Sequence, residues 1–160
     1  MKGKKALFLF LALLLPICVF LFLKIFGKNE FAVKSLYQIK APEAISNCVI
    51  PAVPYHIPDS VANQLNFASD SLLLIWYAAN DSDIAKPKEK VTEKYDKLNQ
   101  LVLSPTGKFK TWKECVFFMS SPYDIVLLNK KGFIRGEYKS YDRDEMDRLF
   151  VELDIILKRY

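Results

Sequence analysis

The stretch from Leu72 to Ala85, LLLIWYAANDSDIA, constrains the fold more than any other part of the chain. Six consecutive apolar or aromatic residues give way to small residues, then to a polar cluster, then to helical spacing. A run of that length, apolar on both sides, reads as a central strand covered on each face. The polar cluster that follows reads as the start of a helix. A helix N-terminus stabilises negative charge and lowers the pKa of a thiol placed there. This junction carries Asn80, Asp81, Ser82 and Asp83 and no cysteine.

The 160 residues suffice for one ordinary domain plus an additional segment. That segment is the uncharged run from Ala6 to Leu23, rich in Leu and Phe. As a helix, 18 residues span about 27 Å, close to the ~30 Å hydrocarbon core of a bilayer. Lys2, Lys4 and Lys5 precede the run, and Lys24 follows it where it can snorkel. The lysines predict a cytoplasmic N-terminus with the rest of the chain outside, facing the periplasm from the inner membrane. A cleaved signal peptide has a shorter apolar region and a small-x-small site, which Cys18 to Phe22 does not offer. The expected organisation is a cytoplasmic tip with a transmembrane anchor over 1–30 and one outer domain over 31–160.

The formal charge of +5 is concentrated at the N-terminus. Residues 31–160 carry 18 basic and 17 acidic side chains, so the outer domain is nearly neutral and unsuited to nucleic acid. Lys86, Lys88, Lys90, Lys94 and Lys97 alternate with Glu89, Glu93 and Asp96, the pattern of a solvated helix face. Of three cysteines, Cys18 lies in the anchor as a small hydrophobe. Cys48 and Cys115 could pair in an oxidising compartment or remain separate thiols, and sequence alone does not decide between these. His56 is the single histidine, so no zinc or copper spacing exists and no cofactor is expected.

After a short tether over 27–40, whose loose alternation over Phe31 to Ile39 suggests a strand, Pro42, Pro51, Pro54 and Pro58 make the next stretch extended or turning. A strand is expected over Ser71 to Ala78. A helix beginning at Ser82 or Asp83 follows, with apolar positions Ile84, Val91, Tyr95, Leu98 and Val102. Trp112 to Phe118 reads as a helical turn leading to a short strand, and Ser120-Ser121-Pro122 as a bend. Tyr123–Leu128 and Phe133–Tyr138 flank Asn129-Lys-Lys-Gly132 as a hairpin. Asp142 and Glu145 form a capping-box pattern ahead of a stripe of Met146, Leu149, Phe150, Leu153, Ile156 and Leu157. The resulting fold class is α/β: a thioredoxin-like central mixed sheet flanked by helices, with one N-terminal transmembrane helix.

Three stretches in order carry a resemblance to a known family. Tyr55-His-Ile-Pro-Asp59 with Asn63-Gln64 is one, the strand–helix junction is the second, and Asp124 to Tyr138 with the closing helix through Leu157 is the third. Together they resemble the SCO/SenC family of membrane-anchored thioredoxin-like proteins, which take part in copper delivery and thiol redox during cytochrome oxidase assembly. The match covers about residues 50–158. The family's Cys-Pro-x-x-Cys motif would fall on Asp81 to Ala85, so Asp81 and Ala85 stand where its cysteines would be. Its metal-binding histidine would fall near Ser121. Copper(I) needs soft thiolate and imidazole ligands, and disulfide exchange needs a thiolate beside a second thiol. The resemblance therefore implies a degenerate member: a non-catalytic accessory factor acting by binding a membrane or respiratory-complex protein.

Other roles for these residues stay open. Asp81 and Asp83 could hold a hard cation or act as an acid/base pair; as structure, Asp81 or Ser82 is the expected N-cap and Asp83 complements the helix dipole. His56 reads as a packing or surface residue, Cys115 as a buried small hydrophobe, and Trp76 and Tyr77 as core. One alternative function is a thiol-disulfide oxidoreductase using Cys48 and Cys115. Another is a purely structural subunit of a membrane complex, although the anchor lacks a small-xxx-small pattern for helix packing.

Overall fold

The structure, a computed structural model, describes residues 10, 12–22, 33–43, 48–66 and 72–157. The chain divides into two compact units, Met1–Ala32 and Val33–Tyr160. In the first, residues 12–22 are helical (α1). Its large apolar side chains, among them Leu13, Leu15, Phe20 and Phe22, are exposed on all sides. Among the described residues no helix is long and apolar enough to cross a membrane. The anchor expected over 6–23 falls partly outside the described residues, as do its flanking Lys2, Lys4, Lys5 and Lys24.

The second unit runs α2 (Asp59–Gln64), β1 (Leu73–Tyr77), α3 (Asp81–Lys94), β2 (Asn99–Leu103), α4 (Gly107–Cys115), β3 (Ile125–Leu128), β4 (Ile134–Tyr138) and α5 (Arg143–Leu157). One four-stranded sheet has the order β2-β1-β3-β4. β1 pairs in parallel with β2 and antiparallel with β3, and β3 and β4 form the antiparallel hairpin. The mixed sheet flanked by helices is the α/β architecture the sequence predicts. Parallel pairing requires a crossover, which α3 supplies.

All five β1 residues are buried, and their alternation divides the core into two layers. Leu72, Leu74, Trp76 and Ala78 pack with Ile84 and Val91 of α3 and with Met146, Leu149, Leu153 and Ile156 of α5. Leu73, Ile75 and Tyr77 pack on the other face with Tyr55, Ile57, Val61, Phe117 and Met119. Of the apolar stripe expected for α5, Met146, Leu149, Leu153 and Ile156 meet the sheet, Phe150 packs partly against it, and Leu157 is exposed. Its cap also matches in part: Asp142 Oδ1 accepts from the N–H groups of Asp144 (3.0 Å) and Glu145 (3.4 Å), while the Glu145 carboxylate pairs with Arg148.

Three local expectations are corrected. α3 stops at Lys94 instead of running to Val102, because Tyr95 leaves helical geometry (φ −133°, ψ 73°) and its hydroxyl bonds Phe150 O and Asp154. The apolar run Leu101-Val102-Leu103 then belongs to β2, an ambiguity inherent in short apolar runs. Residues 107–115 form a full helix, α4, and no strand forms over 116–118. The tether over 33–43 contains turns and bends and no strand. It lies against β4 through Leu36 N to Ile134 O (2.7 Å), an Arg135 Nη1 bond to Val33 O, and Tyr37 Oη to Glu137 (2.9 Å). A segment so placed covers a sheet edge that would otherwise pair with another chain.

Candidate functional site

The carboxyl end of a parallel strand pair is where α/β folds place their sites. Here that end gathers three segments. The Ala78 N–H donates to Leu103 O at the end of β2 (3.2 Å), and the Tyr77 N–H donates to Asp124 O ahead of β3 (2.7 Å). The β1–α3 junction and the loop holding Ser121 therefore leave the sheet at the same end. Asp124 is fixed in turn by Ser140, whose N–H and hydroxyl both reach its carboxylate (2.7 and 2.5 Å).

At the junction the helix cap is Asn80, with extended backbone and no side-chain capping bond, and the helix begins with Asp81. This corrects the expectation of a cap at Asp81 or Ser82. Asp81 and Asp83 occupy the first turn, where carboxylates complement the helix dipole. Asp81 and Ala85 are both exposed, and their i, i+4 spacing puts them on one face of α3, while Ile84 between them is buried. Ser121 is exposed and precedes Pro122 across a cis peptide bond. Asp81, Ala85 and Ser121 thus present a carboxylate, a methyl and a hydroxyl to solvent. Among the described residues no group of three or more His, Cys, Asp and Glu could hold a metal ion. His56 is exposed, its ring edge-on to Phe133 at 6.2 Å between centroids.

Cys48 and Cys115, 67 positions apart in sequence, form a disulfide with Cα atoms 5.1 Å apart. Cys115 is therefore a half-buried cross-link and not the buried free hydrophobe expected from its neighbours. The bond fastens the Pro-rich segment to the C-terminus of α4. Tyr55 Oη strengthens the same attachment by donating to Val116 O (2.8 Å). Cys18 is a free, exposed cysteine on α1.

Tyr77, already read as core, and two groups the sequence did not single out, Lys113 and Glu137, shape the surroundings. Tyr77 is buried, its hydroxyl has no hydrogen-bond partner among the described residues, and burial pushes the phenol pKa far up. The Lys113 Nζ sits 5.7 Å from the Tyr77 ring, and partial burial lowers its pKa against the opposing pull of Asp124. Along β4, a cleft of about 750 Å³ is lined by Tyr37, Ile39, Pro42, Phe118, Ser120 and Glu137. Burial raises the Glu137 carboxyl to about 7, against the lowering effects of the Tyr37 hydrogen bond and Arg148. The sequence signal for Glu137 was weak because β4 alternates regularly and a charged residue on a strand reads as solvent-facing.

In comparison with known proteins, no family model matches the chain and no curated protein matches it.

Proposed function

We propose that the chain is a membrane-anchored, thioredoxin-like accessory protein that acts by binding, in the manner of a degenerate SCO/SenC factor. The observation that carries this reading is the pairing of a βαβ–hairpin–α scaffold with a junction that presents Asp81, Ala85 and Ser121 where a redox or copper site needs thiols and an imidazole. The Cys48–Cys115 bond fits an oxidising compartment such as the periplasm. The all-round apolar surface of α1 suits lipid contact by an anchor in the inner membrane. The partner is a membrane protein, a respiratory complex undergoing assembly being the one that the resemblance suggests. Two measurements test the reading together. Copper(I) titration of the chain should show no tight stoichiometric binding. Affinity purification from detergent-solubilised membranes should recover oxidase subunits. Tight copper binding, or recovery of no respiratory subunit, refutes it.

A second reading has its own observation, the proximity of Cys48 and Cys115. A partner dithiol would attack the bond through a mixed disulfide, its two thiols becoming oxidised as the bond is reduced to two thiols. Cys48→Ser leaving activity in vivo unchanged eliminates this enzyme.

A further inference from the structure

We infer that the β3–β4 hairpin turn forms a phosphodiester-binding pocket that docks on the headgroups of anionic phospholipid. The pocket, of about 350 Å³, lies between the turn and the tether and is lined by Ser35, Gln38, Asn129, Lys130, Lys131, Phe133 and Arg135. Three of these seven side chains are cationic and none is acidic. Arg135 is held on the pocket wall by the bond from its Nη1 to Val33 O, and a guanidinium on such a wall suits a phosphate oxygen.

The turn that carries the lysines is held rigidly. Asn129 is buried, and its Oδ1 accepts from the N–H groups of Lys131 (3.0 Å) and Phe133 (2.9 Å). Gly132, at φ +74°, closes the turn, and its carbonyl accepts from Ile57 N (3.0 Å). The cations are therefore presented on a fixed frame.

The choice of lipid over a free phosphate comes from the tether. Ser35 and Gln38 in the pocket wall follow the apolar run 6–23 by little more than a dozen residues, so the chain spans at most about 40 Å from Leu23 to Ser35. This step rests on the anchor proposed above. At that reach the local headgroup concentration is high, and a site of modest intrinsic affinity becomes occupied. Ile39 and Lys40 of the same segment are exposed, Ile39 to 91 %, so an apolar and a basic side chain accompany the pocket. Docking would set how the outer unit is oriented over the membrane in which its partner resides.

The test uses the whole chain in nanodiscs of phosphatidylcholine alone or with one-third phosphatidylglycerol, read by amide hydrogen exchange over 129–135. Phosphatidylglycerol should slow exchange in this turn, and millimolar glycerophosphoglycerol, the acyl-free headgroup, should compete. Lys131→Glu, on an exposed side chain, should weaken headgroup binding about 25-fold, from roughly fivefold per unit charge at an anionic surface. Equal exchange in both lipids, or an effect that survives Lys131→Glu, overturns the inference. Binding of inorganic phosphate without glycerophosphoglycerol overturns the lipid assignment. Failure of the chain to enter nanodiscs refutes the anchor and the docking that depends on it. Glycerophosphoglycerol titration of the detergent-solubilised chain then reads the pocket itself, and no binding there refutes the pocket too.

Discussion

Removing the Cys48–Cys115 bond, by Cys48→Ala with Cys115→Ala in a Cys18→Ala background, releases a closed loop of 67 positions in the unfolded chain. The chain-entropy relation assigns such a loop about 4 kcal/mol at 25 °C. The bond also holds the Pro-rich segment against α4, and Tyr55 and Ile57 of that segment bury their side chains beside Phe117 and Phe118. A unit of this size gains about 0.27 kcal/mol per degree on unfolding, so the full effect corresponds to a fall of about 15 °C in Tm. With a urea slope near 2 kcal/mol/M the midpoint falls by about 2 M. Trp76, fully buried between β1 and α3, provides the signal, and urea titrations of the whole chain in mild detergent give the difference directly. Wild-type chain treated with reductant should superimpose on the double variant. A loss below about 1 kcal/mol would refute the argument that this bond supplies a principal constraint on the unit.

Three further outcomes follow from individual side chains. Glu137 has its carboxyl raised to about 7 in the fold, above its ordinary value of 4.5, so the native state holds its proton longer than the unfolded chain. Stability from this group is present below about pH 4.5 and is lost as pH rises to about 7; Glu137→Gln should flatten that slope and stabilise at pH 8 by roughly 1–3 kcal/mol, read by urea melts across pH. Asn129→Ala leaves the N–H groups of Lys131 and Phe133 without their acceptor and should cost about 2 kcal/mol, measured by thermal unfolding. At Gly136 an added Cβ would collide with the Tyr138 phenol, which is fully buried and hydrogen-bonded to Glu152 (2.6 Å), so Gly136→Ala should destabilise by about 1–3 kcal/mol, checked by the same melts.

What could be read from the residues follows a physical division. Strand β1, the Asn-Lys-Lys-Gly hairpin and α5 were legible because each carries a strong local signal: a doubly apolar run, a turn glycine and a capped amphipathic stripe. The boundary between α3 and β2 was not, since Leu98 and Val102 satisfy helical spacing as well as strand composition. It took Tyr95 reaching across to α5, a tertiary contact, to end the helix. α4 escaped recognition as a helix because none of its residues is fully buried and its apolar face is narrow. At the candidate site, the sequence alone shows that Asp81, Ala85 and Ser121 carry neither a thiol nor an imidazole. The Asn80 cap, the pairing of Cys48 with Cys115, and the half-buried Glu137 and Arg135 depend on which distant segments meet. Local pattern carries no record of that.

The doubly apolar character of β1 has a consequence for the uniqueness of the fold. In a strand with one polar face, sliding by one residue exposes apolar groups and is excluded by solvent. In β1 such a slide would exchange Leu74 and Trp76 with Ile75 and Tyr77 and expose nothing, so water offers no protection against the error. Fidelity must come from shape and directed bonds instead. Trp76 fits one layer and anchors its indole N–H on Gln100 (3.0 Å), and Tyr77 anchors its backbone on Asp124. Gln100, a polar residue on the neighbouring strand, thereby becomes a keeper of alignment for the central strand.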